Sequence, residues 1–207
     1  MVRLRHKLRQ SLRLSRRSLT SAQQQAAAHG LAQQLSKLPK LSSWRHVGLY
    51  WPADGEIDPS LFARLLYKRG IKLYLPVIAP RKHDHRLHFL AAPTMAYASK
   101  NRHQLRLQPW PAKRNRFGLR EPLGRQVMRP EKLDVLLMPL VGFDANGQRL
   151  GMGGGFYDRL LARLQRGVKR PQLIGLAHRS QQVLALPTEQ WDEPVDIVVT
   201  DAGHLRR

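Results

Sequence analysis

From Gly147 to Leu161 the chain reads GQRLGMGGGFYDRLL, with five glycines in the first nine positions and Asp158 three residues beyond the last of them. Glycine admits positive φ and lets a ligand approach main-chain N–H groups that a side chain would shield. A strand, a glycine loop and a helix start, in that order, make an anion site, because free N–H groups and the helix dipole point at one place. Arg149 adds a charge and a two-pronged donor at the loop's entrance. The pattern favours phosphate, with a tight turn whose glycines only solve a packing problem as the alternative. Two familiar phosphate loops are excluded. No Gly-Lys-Ser/Thr ending is present, and Phe156 stands where the dinucleotide fingerprint needs its last glycine. Asp158, an acid in the first turn of the following helix, suits the dipole. Beside a phosphate it also suggests Mg²⁺, which one or two carboxylates hold together with phosphates and waters.

Other chemistries are narrower. The chain has no cysteine, which rules out disulfides, thiolate metal sites and a catalytic thiol. His83 and His85 in HDHRLH would share a face on a strand, but with no further ligands nearby they read as a solvent-exposed basic loop. The 36 Lys and Arg against 14 Asp and Glu leave a charge of +22. Such a field attracts polyanions, whether nucleotides, multiply carboxylated metabolites or, non-specifically, nucleic acid. The longest apolar run, nine residues from Val135 to Phe143, is too short to span a bilayer, and no apolar signal core follows the basic N-terminus. These features read as a soluble, cytoplasmic protein.

The elements that must position the loop come next. With 207 residues the chain is expected to form a single domain over 1–207, with a basic helix in residues 1–20 and a loop-rich segment at 92–130. Leu4, Leu8 and Leu12 form one stripe of the first helix, and Arg5, Arg9 and Arg13 a cationic stripe beside it. Ser21 with Gln24 makes a capping-box pattern for a second helix, and Asp58-Pro59 opens a third that Gly70 stops. VGLYW, IKLYLPV, RLHFL, LDVLLMPL, LIGLA and VDIVV read as strands. A helix is expected from about residue 155 to 165, with Gly167 as its stop. Alternating strands and helices predict a three-layer αβα sandwich, Rossmann-like, around a mostly parallel central sheet. Ligands in such sheets gather beyond the strands' carboxyl ends. The turn after VGLYW, the glycine loop and WDEP all sit there.

Taken together, these landmarks resemble a known family. RLGMGGGFYDRLL is similar to the signature of the 5-formyltetrahydrofolate cyclo-ligases, also called 5,10-methenyltetrahydrofolate synthetases. LRQSLRLSRRSLT, VGLYWPADGEID, NRFGLREP and QQVLALPTEQWDEPVDIVVTD resemble further segments of that family in the same order. The resemblance implies ATP- and Mg²⁺-dependent closure of 5-formyltetrahydrofolate, polyglutamylated forms included, to 5,10-methenyltetrahydrofolate through a phosphorylated formyl group. It implies no nucleophilic side chain. Arg5 and Arg9 would contact ATP, as would the loop residues Arg149, Leu150, Gly151, Met152, Gly153, Gly154, Gly155, Phe156 and Tyr157. Met152 to Phe156 would also border the folate, with Trp51 as an aromatic wall for the pterin and Glu56 as acceptor for its N–H edge. Asp158 and Asp192 would hold Mg²⁺. Arg5 stands where the family commonly has lysine, and Met152 where it more often has tyrosine or histidine. Glu121 and Gln181 fall on recurring positions without an assigned role. Two rival readings compete with this one: a basic RNA-binding α/β protein using Arg3 to Arg17, and a sugar-phosphate enzyme on the same fold.

Overall fold

The structure, a computed structural model, describes residues 2–78, 86–92, 112–124, 126–165, 169–190 and 192–207. His83, His85 and Gly167 lie outside the described residues, as does part of the 92–130 segment. Helices α1 (Val2–Arg17) and α2 (Ser21–Ser36) lead into β1 (His46–Gly48), α3 (Ser60–Lys68), β2 (Lys72–Ile78) and β3 (Leu87–Ala91). A hairpin of β4 (Ala112–Arg114) and β5 (Arg120–Pro122) precedes β6 (Val127–Met128) and β7 (Val135–Pro139). A second hairpin, β8 (Gly142–Phe143) with β9 (Arg149–Leu150), precedes α4 (Phe156–Gln165), β10 (Gln172–Leu176), β11 (Ile197–Val199) and β12 (His204–Arg206).

The main sheet runs β12-β11-β10-β7-β1-β2-β3-β6. Its five central strands, β11 to β2, are parallel throughout, while β12, β3 and β6 add antiparallel edges. Alternation along β7 separates the two cores: Val135 and Leu137 pack with Leu31 and Leu35 of α2 and Phe62 and Leu66 of α3. Leu136 and Met138 face the other way, onto Leu160, Leu161 and Leu164 of α4. Helices therefore cover both faces, and the expected αβα sandwich with a mostly parallel sheet is borne out. Among the described residues, no helix is long and apolar enough to cross a membrane.

Local signals shifted by a residue or two. The capping box forms at Thr20 and Gln23 rather than Ser21 and Gln24. The Gln23 amide donates to Thr20 Oγ1 at 3.3 Å, and the Thr20 amide donates to Gln23 Oε1 at 2.8 Å. Pro59 sits at the cap and α3 begins at Ser60, whose amide donates to Asp58 Oδ1 at 2.8 Å. The larger difference concerns the glycine segment, which does not follow β7 directly. The β8–β9 hairpin intervenes, and Asp144 Oδ1 braces its turn by accepting from the Asn146 and Gln148 amides at 2.9 and 3.1 Å. Gly147, at φ 73°, belongs to this turn; a side chain there would meet the Val195 carbonyl. The first glycine of the stretch is thus structural.

Helix α1 lies outside the sandwich, across the carboxyl end of the sheet. Leu12 packs with Val141, Leu150 and Leu186. Arg16 donates to the Leu140 carbonyl, just past β7, at 3.3 Å. Leu4 of the expected apolar stripe is exposed, but Leu8 and Leu12 pack inward, and Arg5, Arg9 and Arg13 beside them are half-buried. One arginine at the helix's end can satisfy several carbonyls and carboxylates at once, which leucines cannot.

Candidate functional site

Two loops meet at the carboxyl edge of β1 and β7. In the first, Ala53-Asp54-Gly55-Glu56 closes with the Glu56 amide donating to the Ala53 carbonyl at 2.9 Å. Asp54 and Gly55 have φ of 55° and 74°, the two positive values that a type I′ turn requires and that Asp-Gly tolerates. Arg13 donates to Asp54 Oδ2 at 2.7 Å, Arg16 to the same oxygen at 2.8 Å, and Arg17 pairs with Oδ1. Burial works against the Asp54 charge, but the hydrogen bonds from Arg13, Arg17 and Arg16 outweigh it and hold the carboxyl at about 2. Glu56, two residues on, goes the opposite way. Burial pushes its carboxyl up to about 7, and Arg16 and the Ala53 amide, which donates to Glu56 Oε2 at 3.1 Å, offset this only in part. Tyr50 donates to the Ile57 carbonyl at 2.6 Å, and a His178 ring nitrogen lies 3.1 Å from the Gly55 carbonyl.

The second loop runs from Gly151 to Gly155 into the N-terminus of α4. Gly153 and Gly155 have φ of 94° and 64°. Arg9 donates to the Gly151 carbonyl at 2.8 Å, and Arg159 to that of Gly154 at 2.6 Å. Burial lowers the Arg9 pKa, and its neighbours Arg5 and Arg13 lower it further. A cation crowded by cations gains by meeting an anion. Arg149 is nearly buried; its Nε donates to the Glu193 carbonyl at 2.9 Å, and its guanidinium pairs with Asp158.

Both loops line one cavity of about 460 Å³, together with the tip of the β4–β5 hairpin. That volume suits a drug-sized or cofactor-sized ligand. Trp51, with the Arg120 guanidinium 5.4 Å from its ring centroid, forms one wall. Phe156, 5.6 Å from Phe117 in an edge-to-face contact, forms another. Asn115 shapes the hairpin tip: its Oδ1 accepts from the Phe117 and Leu119 amides, and its Nδ2 donates to Glu121 at 2.8 Å. Glu121 is buried and also accepts from the Ile78 amide at 2.8 Å.

Trp51, Glu56, Arg149, Gly151 to Tyr157 and Asp158 all line this cavity. Leu150 lies beneath it, in the core that α1 covers. Arg5, Arg9 and Asp192 stand beside it: Arg9 reaches Gly151, and Arg5 pairs with Asp192. Gln181 is fully buried and donates to the Leu140 and Val141 carbonyls at 2.7 and 2.8 Å, a bracing role. Burial raises the Tyr157 phenol well above its ordinary value, leaving it a neutral donor. Arg16 and Asp54 were not singled out in the sequence. A continuation of the stripe from Arg13 to Arg16, three residues on, is the signal that could have found the arginine.

The proposed magnesium donors are two aspartates, each against a guanidinium. Burial opposes the Asp192 charge, but the Arg5 hydrogen bond outweighs it and lowers the pKa. Among the described residues no group of three or more His, Cys, Asp or Glu could hold a metal by itself. Asp158 lines the cavity and suits a Mg²⁺ ion that shares its shell with phosphates and waters. Asp192, by contrast, would have to exchange Arg5, which engages both its oxygens, for the ion.

Fold and site together define an α/β protein in which a glycine-rich loop at a helix N-terminus and a carboxylate-bearing turn open onto one cleft. The chain belongs to the 5-formyltetrahydrofolate cyclo-ligase family, whose model matches residues 2–201. It is 39% identical over 198 residues to the 5-formyltetrahydrofolate cyclo-ligase of Haemophilus influenzae, covering 94% of this chain and 97% of that protein. It is 37% identical over 191 residues to the enzyme of the same name from Escherichia coli K12, covering 91% and 96%. Its fold is similar to the solved structure of Aquifex aeolicus 5,10-methenyltetrahydrofolate synthetase, with a TM-score of 0.76 and 28% identity over 98% of this chain and 92% of that one. The chain is thus a ligase of folate one-carbon metabolism, as its sequence landmarks implied.

Proposed function

We propose that this chain acts as a single cyclo-ligase domain in the cytoplasm, closing 5-formyltetrahydrofolate to 5,10-methenyltetrahydrofolate while ATP becomes ADP and phosphate. The observation that carries the reading is the shared cavity: the glycine loop and the Glu56 turn face the same space, as a reaction between a nucleotide and a folate needs.

The formyl oxygen attacks the γ-phosphorus and ADP leaves. N10 then attacks the activated formyl carbon and loses its proton, and phosphate departs with the formyl oxygen and takes up that proton. Such transfer depends on positioning and charge neutralisation, so a nucleophilic side chain is not required. The loop from Arg149 to Tyr157 cradles the phosphates, with Arg5 and Arg9 neutralising their charge from α1. Trp51 walls the pterin, and Glu56 accepts from its N–H edge. Asp158 and Asp192 would hold Mg²⁺, which supplies neutralisation of the phosphate charge. The +22 charge favours polyglutamylated substrate over the monoglutamate at low salt.

Purified protein incubated with 5-formyltetrahydrofolate, Mg²⁺ and ATP should generate the near-ultraviolet absorbance of the methenyl product. A folded protein that yields none overturns the reading.

A further inference from the structure

Arg16 has no role in the function as proposed so far, yet its side chain is 0% exposed whereas that of adjacent Arg17 is 48% exposed. A guanidinium withdrawn from water must be paired on every side or it destabilises the fold. Its Nε donates to the Asp54 carbonyl and one Nη to Asp54 Oδ2, both at 2.8 Å; the other Nη reaches the Leu140 carbonyl. Nη2 also lies 3.5 Å from the Met152 sulfur and 3.9 Å from Glu56 Oε1. If the task were only to tie α1 to Asp54, Arg13 and Arg17 already do so from more accessible positions. Arg16 alone adds the end of β7, the glycine loop and Glu56 to the same head group.

We propose that Arg16 is a positioning residue for the reaction, setting Glu56 and the glycine loop against each other across the cleft; this rests on Glu56 being a folate-facing group. The groups facing Glu56 from each side are known. Arg13 and Arg16 come from α1, Asp54 from its own turn, Tyr50 from the segment after β1 and Tyr157 from α4. Arg16 favours the Glu56 anion and Asp54 opposes it, so removing each must move the Glu56 titration in opposite directions. The shifts report that Arg16 stands against Glu56; its positioning role is read from folate binding, in which Arg16→Lys separates charge from geometry.

The test follows the Glu56 carboxyl by NMR in protein with ¹³C-labelled glutamate, with Glu56→Gln to assign the signal. The same variants are titrated with 5-formyltetrahydrofolate. Arg16→Met should raise the Glu56 midpoint and weaken folate binding by about tenfold, the scale of a lost charged hydrogen bond. Arg16→Lys keeps the charge but not the fork, so its midpoint should stay near wild type while binding still weakens. Asp54→Asn should lower the midpoint. Arg16→Met leaves Asp54 paired with Arg13 and Arg17, so folding should survive; should it not, the folate affinity of Arg16→Lys, which keeps the buried charge, decides. An unchanged Glu56 midpoint or wild-type folate affinity in Arg16→Met overturns the role of Arg16, as does wild-type folate affinity in Arg16→Lys. Glu56→Gln with wild-type folate affinity instead removes Glu56 from the substrate site, a failure distinct from the first.

Discussion

The Asp54-Gly55 turn follows β1 of the main sheet and the Gly151–Gly155 loop follows β9 of a separate hairpin; both face one cavity, yet they are built on opposite principles. The turn is held by side chains. Three arginines converge on Asp54, Tyr50 holds the Ile57 carbonyl, and a His178 nitrogen abuts that of Gly55. Glu56, which lines the cavity with Asp54, accepts from the Ala53 amide. The loop is held mainly at its rim, by Arg9 on Gly151 and Arg159 on Gly154, and presents glycine backbone to the cavity. A wired turn suits a planar heterocycle that must be read by one carboxylate. A bare backbone suits a phosphate, whose several oxygens each need an N–H donor. Position along the sheet edge does not dictate chemistry; the way each loop is braced does.

The contrast can be broken at several points. The largest effect is expected on the bare loop. Gly153 has φ 94°, and a side chain there would stand 3.5 Å from the Arg9 guanidinium carbon. Gly153→Ala should raise the KM for ATP by about tenfold or more, the scale of 1–3 kcal/mol of backbone strain, and disturb folate KM less. Equal effects on the two substrates, measured by steady-state kinetics, would show that the loops are not separable.

Next is the wired turn. Asp54→Asn removes the charge that three arginines share and should lower stability by about 1–3 kcal/mol. In a chain of this size calorimetry would read that as a Tm lower by several degrees. An unchanged Tm would mean that Arg13, Arg16 and Arg17 do not depend on Asp54.

The smallest effect, and the most specific, lies in the pH dependence of stability. Asp54 titrates at about 2 against an ordinary 3.8. Its contribution is complete above the ordinary value and disappears as pH falls from there through about 2. Glu56 titrates at about 7 against 4.5. Its contribution is complete below 4.5 and lost as pH rises through about 7. Tm profiles should therefore flatten on the acid side in Asp54→Asn and on the neutral side in Glu56→Gln. Wild type and Glu56→Gln with the same slope between pH 4.5 and 7 would contradict the assignment to Glu56.

Much of the scaffold was legible because it rests on periodicity. LDVLLMPL alternates between two cores, and Leu31, Leu35, Phe62 and Leu66 recur at helical spacing. The glycine loop was legible from composition, but Gly147 was not separable from it until Asp144 was seen to brace a hairpin turn around it. Trp51 and Glu56 were reached by resemblance rather than by spacing. Arg16 was missed because burial of a guanidinium depends on partners 38 and 136 residues away. Met152, out of keeping with the family pattern, gains a physical setting here: its sulfur lies 3.5 Å from that same guanidinium.

By itself the sequence determined the layered fold, the presence of a glycine loop before a helix and the family. These depend on short-range pattern, on hydrophobic period, turn chemistry and helix capping, which a linear chain carries locally. Only the tertiary structure decided that Arg16 of α1 is buried and that the pKa values of Asp54 and Glu56 shift in opposite directions. It also decided which glycine belongs to a hairpin. Each of these is set by desolvation and by charges from distant segments, quantities that exist only once the chain has closed around them.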